Sequence, residues 1–201
     1  LGTGALPLPS VLLLPAIAIS AMAAGALLLL GPAVLKTRFG VDEVVTTLLL
    51  NFIVLLFVSM LLEGPLKDPM GLGWPQSPKV IADAQLPRII RGKRLHYGFV
   101  LALFSALAVW LVMKKTALGY EMRAVGHNRE AARFAGIPVD AVLAKTALLS
   151  GGLAALAGFS EVAGLKGNLT LDLSPGYGYS GIVVAMLAML NPLGVVVSAI
   201  F

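Results

Sequence analysis

The sequence contains no cysteine, which excludes disulfide frameworks and cysteine-ligated metal sites. Histidine is nearly absent too, with only His96 and His127, and no H-E-x-x-H pattern offers a zinc site. No G-x-S-x-G surrounds a serine, so the usual esterase nucleophile is missing. No G-x-x-x-x-G-K-S/T phosphate loop is present, so if ATP drives this protein, another chain binds it. Charge is scarce: Asp, Glu, Lys and Arg make up 12%, against about 25% in soluble domains. A soluble single-core protein could not hide the remaining apolar surface from water. Disorder is excluded by the same composition.

Apolar material fills the space that charge leaves. Residues AVILMFWYC form 58% of the 201 residues, 22 more are glycine, and the mean hydropathy is +0.92. The excess must face lipid or other membrane helices. The net charge is +5. Nearly all of its 15 Lys and Arg sit in short gaps between apolar runs, a pattern that orients a chain in a membrane rather than one that binds nucleic acid. Leu1 is followed by no basic segment, so no signal peptide is indicated. The apolar pattern continues to Phe201, and the chain is expected to be truncated at both ends.

A spanning helix needs about 20 apolar residues. Five stretches approach this, at about 11–35, 44–62, 98–113, 142–164 and 179–201. The first contains Pro15, Gly25 and Pro32, and the last contains Pro192. Each must be helical, because a spanning segment in lipid satisfies its own backbone hydrogen bonds. The expected fold is therefore all-α, a polytopic transmembrane bundle forming one domain over 1–201. The fourth stretch carries Ser150, Gly151, Gly152, Ala154, Ala155, Ala157 and Gly158. Small residues let helix backbones approach closely in lipid, so this helix is read as buried in the bundle; the alternative is a lipid-facing helix.

The connections alternate sides. Loops 36–43 and 114–141 share one face, and loops 63–97 and 165–178 share the other. Each face carries seven Lys and Arg, so the positive-inside rule does not orient the chain. Loop 63–97 holds five prolines and Trp74, and is read as an ordered, mostly non-helical cap. His96 and His127 fall in loops on opposite faces, where both are read as solvated.

Segment 114–141 is the most informative. Asn128 suits an N-cap, and Glu130 stands in the first turn, at the positive end of the helix dipole. Gly136 can adopt the left-handed conformation just past the end, and Pro138 prevents continuation. The predicted helix is Arg129 to Ala135, too short to be stable alone, so it must dock. Arg129 and Arg133 share one face, while Ala131, Ala132 and Ala135 form a small-residue face. The partner is either the chain's own bundle or another protein.

Glu130-Ala131-Ala132-x-x-x-Gly136 resembles the EAA–G loop of permease subunits of bacterial ATP-binding-cassette importers. Its setting, Gly119-Tyr120-Glu121-Met122-Arg123-Ala124-Val125-Gly126, resembles the branch for simple sugars, nucleosides and branched-chain amino acids. Thr47 to Ile53, Pro75-Gln76-Ser77, Gly176 to Ile182 and Asn191-Pro192-Leu193-Gly194 look most like the nucleoside and simple-sugar members. Ala188 departs from the pattern, where a glycine is expected. The resemblance covers about 40–195. It implies that 114–141 is a cytoplasmic coupling loop and 63–97 is extracytoplasmic. Arg129, Glu130, Ala131, Ala132, Arg133, Ala135 and Gly136 would then grip an ATPase subunit. The implied partners are two ATPase subunits, a second permease (identical or homologous), an extracytoplasmic substrate-binding protein and the lipid bilayer. No nucleic acid is implied. The implied location is the bacterial inner or plasma membrane, multi-pass. No cofactor is expected on this chain, since ATP-Mg would sit on the partner, and no catalytic or metal residue is expected.

Polar groups inside spans usually face the bundle or a water-filled path. Thr47 and Asn51, four apart, can line a translocation path or hold the bundle through interhelical hydrogen bonds. Ser150 can line the path or serve tight packing, with packing favoured. Glu161 can meet solute or pair with Lys166, with pairing favoured. Asn191 can relieve backbone groups freed by Pro192 or face the path. Two other classes compete with the importer reading. An ion-coupled secondary transporter needs intramembrane charges, and only Lys145 and Glu161 qualify. A polytopic membrane enzyme needs clustered catalytic groups, which the sequence does not offer.

Overall fold

The computed structural model describes residues 10–71, 73–89, 95–174 and 176–200. Arg91, Lys93 and Arg94, part of the charge count above, lie outside the described residues, as do 1–9 and Phe201. Among the described residues there is no β-strand, only two isolated bridges, Gln76 with Thr170 and Arg88 with His96. The architecture is an all-α polytopic bundle.

The first helix, α1, runs Ser10–Phe39 without a break at Pro15 or Pro32. Proline removes a backbone bond in a helix interior, but neighbouring helices and local adjustment absorb this inside membrane bundles. Gly40, at φ +68°, turns the chain. Asp42 then caps α2 (Glu43–Glu63), its carboxylate accepting from Val44 N at 2.7 Å. Lys36 at the end of α1 pairs with Glu43 across the turn. α2 buries only Leu62, so nearly all its surface faces away from the rest of the chain.

α3 spans Gly98–Lys115, and α4 follows at Ala117–His127, capped by Thr116, whose hydroxyl accepts from Gly119 N at 3.2 Å. α4 has no counterpart in the sequence reading, which placed a single short helix in this loop. Its apolar stripe buries Val125 against Ala132, Val139 and Val142. Gly119 is obligatory there: a Cβ would come within 2.2 Å of Val112 O. Next come α5 (Arg129–Phe134) and α6 (Val139–Glu161), and α6 continues into one π-helical turn, Val162–Lys166.

The core of the bundle is the α1–α6 pair. A Cβ added at Gly25 would lie 2.5 Å from Gly151 O, and one at Gly151 would lie 2.3 Å from Gly25 O. The two backbones touch, as the small-residue stripe predicts. Leu156, Phe159 and Ala163 close the adjoining cluster with Leu14, Ile17, Ala18, Met22 and Leu101.

Among the described residues, four helices are long and apolar enough to cross a membrane. The fifth expected span is not one straight helix. It divides into α7 (Tyr177–Leu187) and α8 (Pro192–Ser198), bent by 114°. The α7 end is a Schellman arrangement, with Leu190 N donating to Ala185 O at 2.9 Å. Met189 and Leu190 stand at φ +51° and +58°, a region glycine favours. Pro192 then begins α8, where its missing N–H costs nothing.

Among its described residues, segment 64–97 is non-helical apart from a 3-10 turn at Ala82–Ala84. It is pinned to the end of α6 by backbone bonds: Leu86 N to Ala163 O at 2.8 Å, Val80 N to Gly167 O at 2.7 Å and Ser77 N to Leu169 O at 3.0 Å. Asn168 Nδ2 also donates to Gln76 Oε1 at 3.1 Å.

Candidate functional site

α5 has the geometry of a short, well-terminated rod. Asn128 Oδ1 accepts from both Glu130 N and Ala131 N at 3.0 Å, filling two of the orphan donors of the first turn. At the other end Ile137 N donates to Ala132 O and Gly136 N to Arg133 O, both at 3.0 Å, with Gly136 at φ +82°. Glu130 stands in the first turn, where its charge complements the helix dipole.

Ala132 is the foot of this rod, 4% exposed against Val125 and Val142. Ala131 and Ala135 remain exposed, as do Arg129 and Glu130. The small-residue face is thus split: Ala132 rests on the chain's own helices and its neighbours do not. Phe134 follows two positions on, about 200° around the axis at 3.6 residues per turn. It is 96% exposed. The sequence reading did not place Phe134 among the site residues, although its spacing from Ala132 carries the signal. Arg133 makes an ion pair with Asp140 at 3.8 Å, exposed on both sides, and such pairs contribute little.

The intramembrane polar residues do not gather into one site. Thr47 spends its hydroxyl on its own helix, donating to Glu43 O at 2.8 Å and Val44 O at 3.0 Å. Asn51 is exposed on α2 and Ser150 is exposed on α6. Asn191 caps α8, its Oδ1 accepting from Leu193 N at 3.1 Å, which is the backbone role expected beside Pro192. A cavity of about 460 Å³ between α3, α6 and the α7–α8 bend is lined by Ala106, Leu153, Leu190 and Pro192, and holds none of the five.

Two local expectations are corrected. Glu161 does not pair with Lys166. The Lys166 ammonium instead reaches the Asp172 carboxylate at 3.4 Å and donates to the Asp172 backbone carbonyl at 2.8 Å. The Thr170 side chain and this ammonium hold the Asp172 carboxyl below the usual carboxylate range. His96 is not a solvated loop residue either. It is half-buried, its Nδ1 accepts from Gly98 N at 3.0 Å, and its ring fills the space that a Cβ on Gly98 or Gly164 would occupy. His127 is exposed, but it ends α4 rather than lying in a loop.

With this geometry in place, the comparisons are decisive at the family level. Residues 2–201 match the family described as the branched-chain amino acid transport system / permease component. The chain belongs to this permease family. The glucose ABC transporter permease protein of Haloferax volcanii is 36% identical over 96% of the chain and 53% of its own length. The guanosine ABC transporter permease protein of Bacillus subtilis is 35% identical over 95% of the chain and 56% of its own. The nucleoside ABC transporter permease protein of Lactococcus lactis is 28% identical over 96% and 55%. The chain spans about half the length of these curated relatives. No solved structure matches it.

Proposed function

We propose that this chain is the membrane-spanning part of an ATP-binding-cassette importer that carries a nucleoside or simple sugar across the inner or plasma membrane. No bond is made or broken on it. ATP-Mg binds a separate ATPase subunit, which engages α5 and biases the bundle between outward- and inward-open states, the differential contact that a switch requires. A second permease completes the path, and an extracytoplasmic binding protein delivers solute.

The observation that carries this reading is Phe134, almost wholly exposed on a rod whose opposite side is fixed. Large aromatics exposed on a rigid projection are common anchors of protein interfaces. Relatives named as glucose, guanosine and nucleoside permeases support the solute class. Asn51, Ser150 and Glu161 are the polar groups that their own helices leave available for a path; Thr47 and Asn191 are engaged locally.

The test is co-purification with the ATPase subunit. Phe134→Ala is expected to weaken it by about tenfold or more, the scale of an interface anchor, while the protein stays in the membrane. Glu130→Lys, which opposes the helix dipole, is expected to weaken it as well. Transport driven by a proton gradient in a preparation free of ATPase subunits would sink the reading and favour a secondary transporter.

A further inference from the structure

An open cleft of about 700 Å³ lies between the cap segment, the π turn and the start of α1. Lys79, Arg88 and Lys166 line it, against one carboxylate, Asp83. Lys166 is already paired with Asp172. Among the described residues, Lys79 and Arg88 have no ion-pair partner. The same cleft has an apolar wall: Leu14 from α1, a helix apolar and long enough to cross a membrane, and Leu165 from the π turn. Charge and hydrocarbon therefore meet in one cavity, near the N-terminal end of the apolar length of α1.

A ligand that fits must bring an anion and an apolar stem together. Asp83 bears on the choice of anion: a second negative charge, as on a phosphate monoester, would face it directly, whereas a singly charged diester need not. We propose that this cleft binds the phosphodiester of a membrane phospholipid, with Lys79 and Arg88 on the phosphate and Leu14 and Leu165 against the glycerol and upper acyl chain. Basic pockets beside spanning helices hold lipid headgroups by this combination of charge and local apolar contact. The assignment is independent of the transport reading, since none of the four residues belongs to α5 or to the polar groups inside the spans. A lipid held here would wedge the cap to α1 and fix the bundle's depth in the bilayer.

The experiment uses the full-length protein, stripped of lipid in non-ionic detergent and titrated with phosphatidylglycerol under native mass spectrometry. The water-soluble diester glycerophosphoglycerol forms a second arm. Binding of the lipid is expected, falling about tenfold or more in Lys79→Ala/Arg88→Ala, since both cations that meet the phosphate are removed. Higher salt should weaken it. Lys114→Ala/Lys115→Ala, at the opposite end of α3, should leave it unchanged. Circular dichroism establishes that each variant keeps its helices; Lys79→Gln/Arg88→Gln replaces the alanine pair if that pair does not fold. Equal lipid binding by wild type and double variant would overturn the proposal. The soluble diester binding as tightly as the lipid would overturn it as well, and would assign the cleft to a soluble anion.

Discussion

At the scale of single residues, two helix ends of the same design differ in one atom group. α5 and α7 both stop in Schellman turns, but α5 places Gly136 at the left-handed position and α7 places Met189 there. A side chain in that conformation costs about 1–2 kcal/mol. Gly136→Val is therefore expected to destabilise the end of α5 by about that amount, and Gly136→Asn by less, because asparagine tolerates the conformation. A Cβ at Gly136 meets no atom within 4 Å, so the difference between the two variants isolates backbone strain. Met189→Gly is expected to act in the opposite sense, raising the melting temperature of the detergent-solubilised protein. The stop at Gly136 is legible from Asn128, Gly136 and Pro138 alone. The one at Met189 is not, because nothing in Ala188-Met189-Leu190 signals a turn; only Asn191-Pro192 does, and a proline inside a membrane helix is equally compatible with a straight span.

At the scale of elements, the small-residue stripe of α6 shows how far a sequence pattern reaches. Gly151 and Gly158 look alike in the sequence, seven apart on one helix. In the fold Gly151 is pressed against Gly25, and a Cβ at Gly158 would meet nothing within 4 Å. Gly151→Ala is expected to force α1 and α6 apart and to cost about 1–3 kcal/mol, as overpacking does. Gly158→Ala is expected to be neutral or to stabilise by up to about 1 kcal/mol, since alanine is the better helix former. Thermal melts of the two variants side by side check this. The pattern identified α6 as a packing helix; which glycine carries the contact depends on the partner's position, which lies some 125 residues away in sequence at Gly25. α4 is hard to read from the sequence for a related reason. It holds two glycines, Gly119 and Gly126, and the polar side chains of Glu121, Arg123 and His127, so it reads as loop until Val125 finds its cluster.

At the scale of the whole molecule, the chain is a tightly packed pair, α1 and α6, with helices α2 and α7 largely bare around it. In lipid such faces meet acyl chains or further helices without penalty. The cap and α5 should lie on opposite sides of the membrane. The absence of cysteine makes this directly measurable: Trp74→Cys and Phe134→Cys, both at exposed positions, are expected to react with an impermeant maleimide from opposite sides only. Labelling of both from one side would refute the topology. The sequence alone determined the class of fold, since apolar runs of this length with so little charge have no stable arrangement outside a membrane. It also determined the capped rod, because caps and stops are local chemistry between residues three to six apart. Only the tertiary structure decided which face of the rod is free, which glycines touch, that the last span breaks, and that Lys166 turns to Asp172 instead of Glu161. The first two are set by where a distant segment packs, of which short-range spacing holds no record; the break of the last span and the Lys166–Asp172 pair are local backbone geometry that the residue types do not signal.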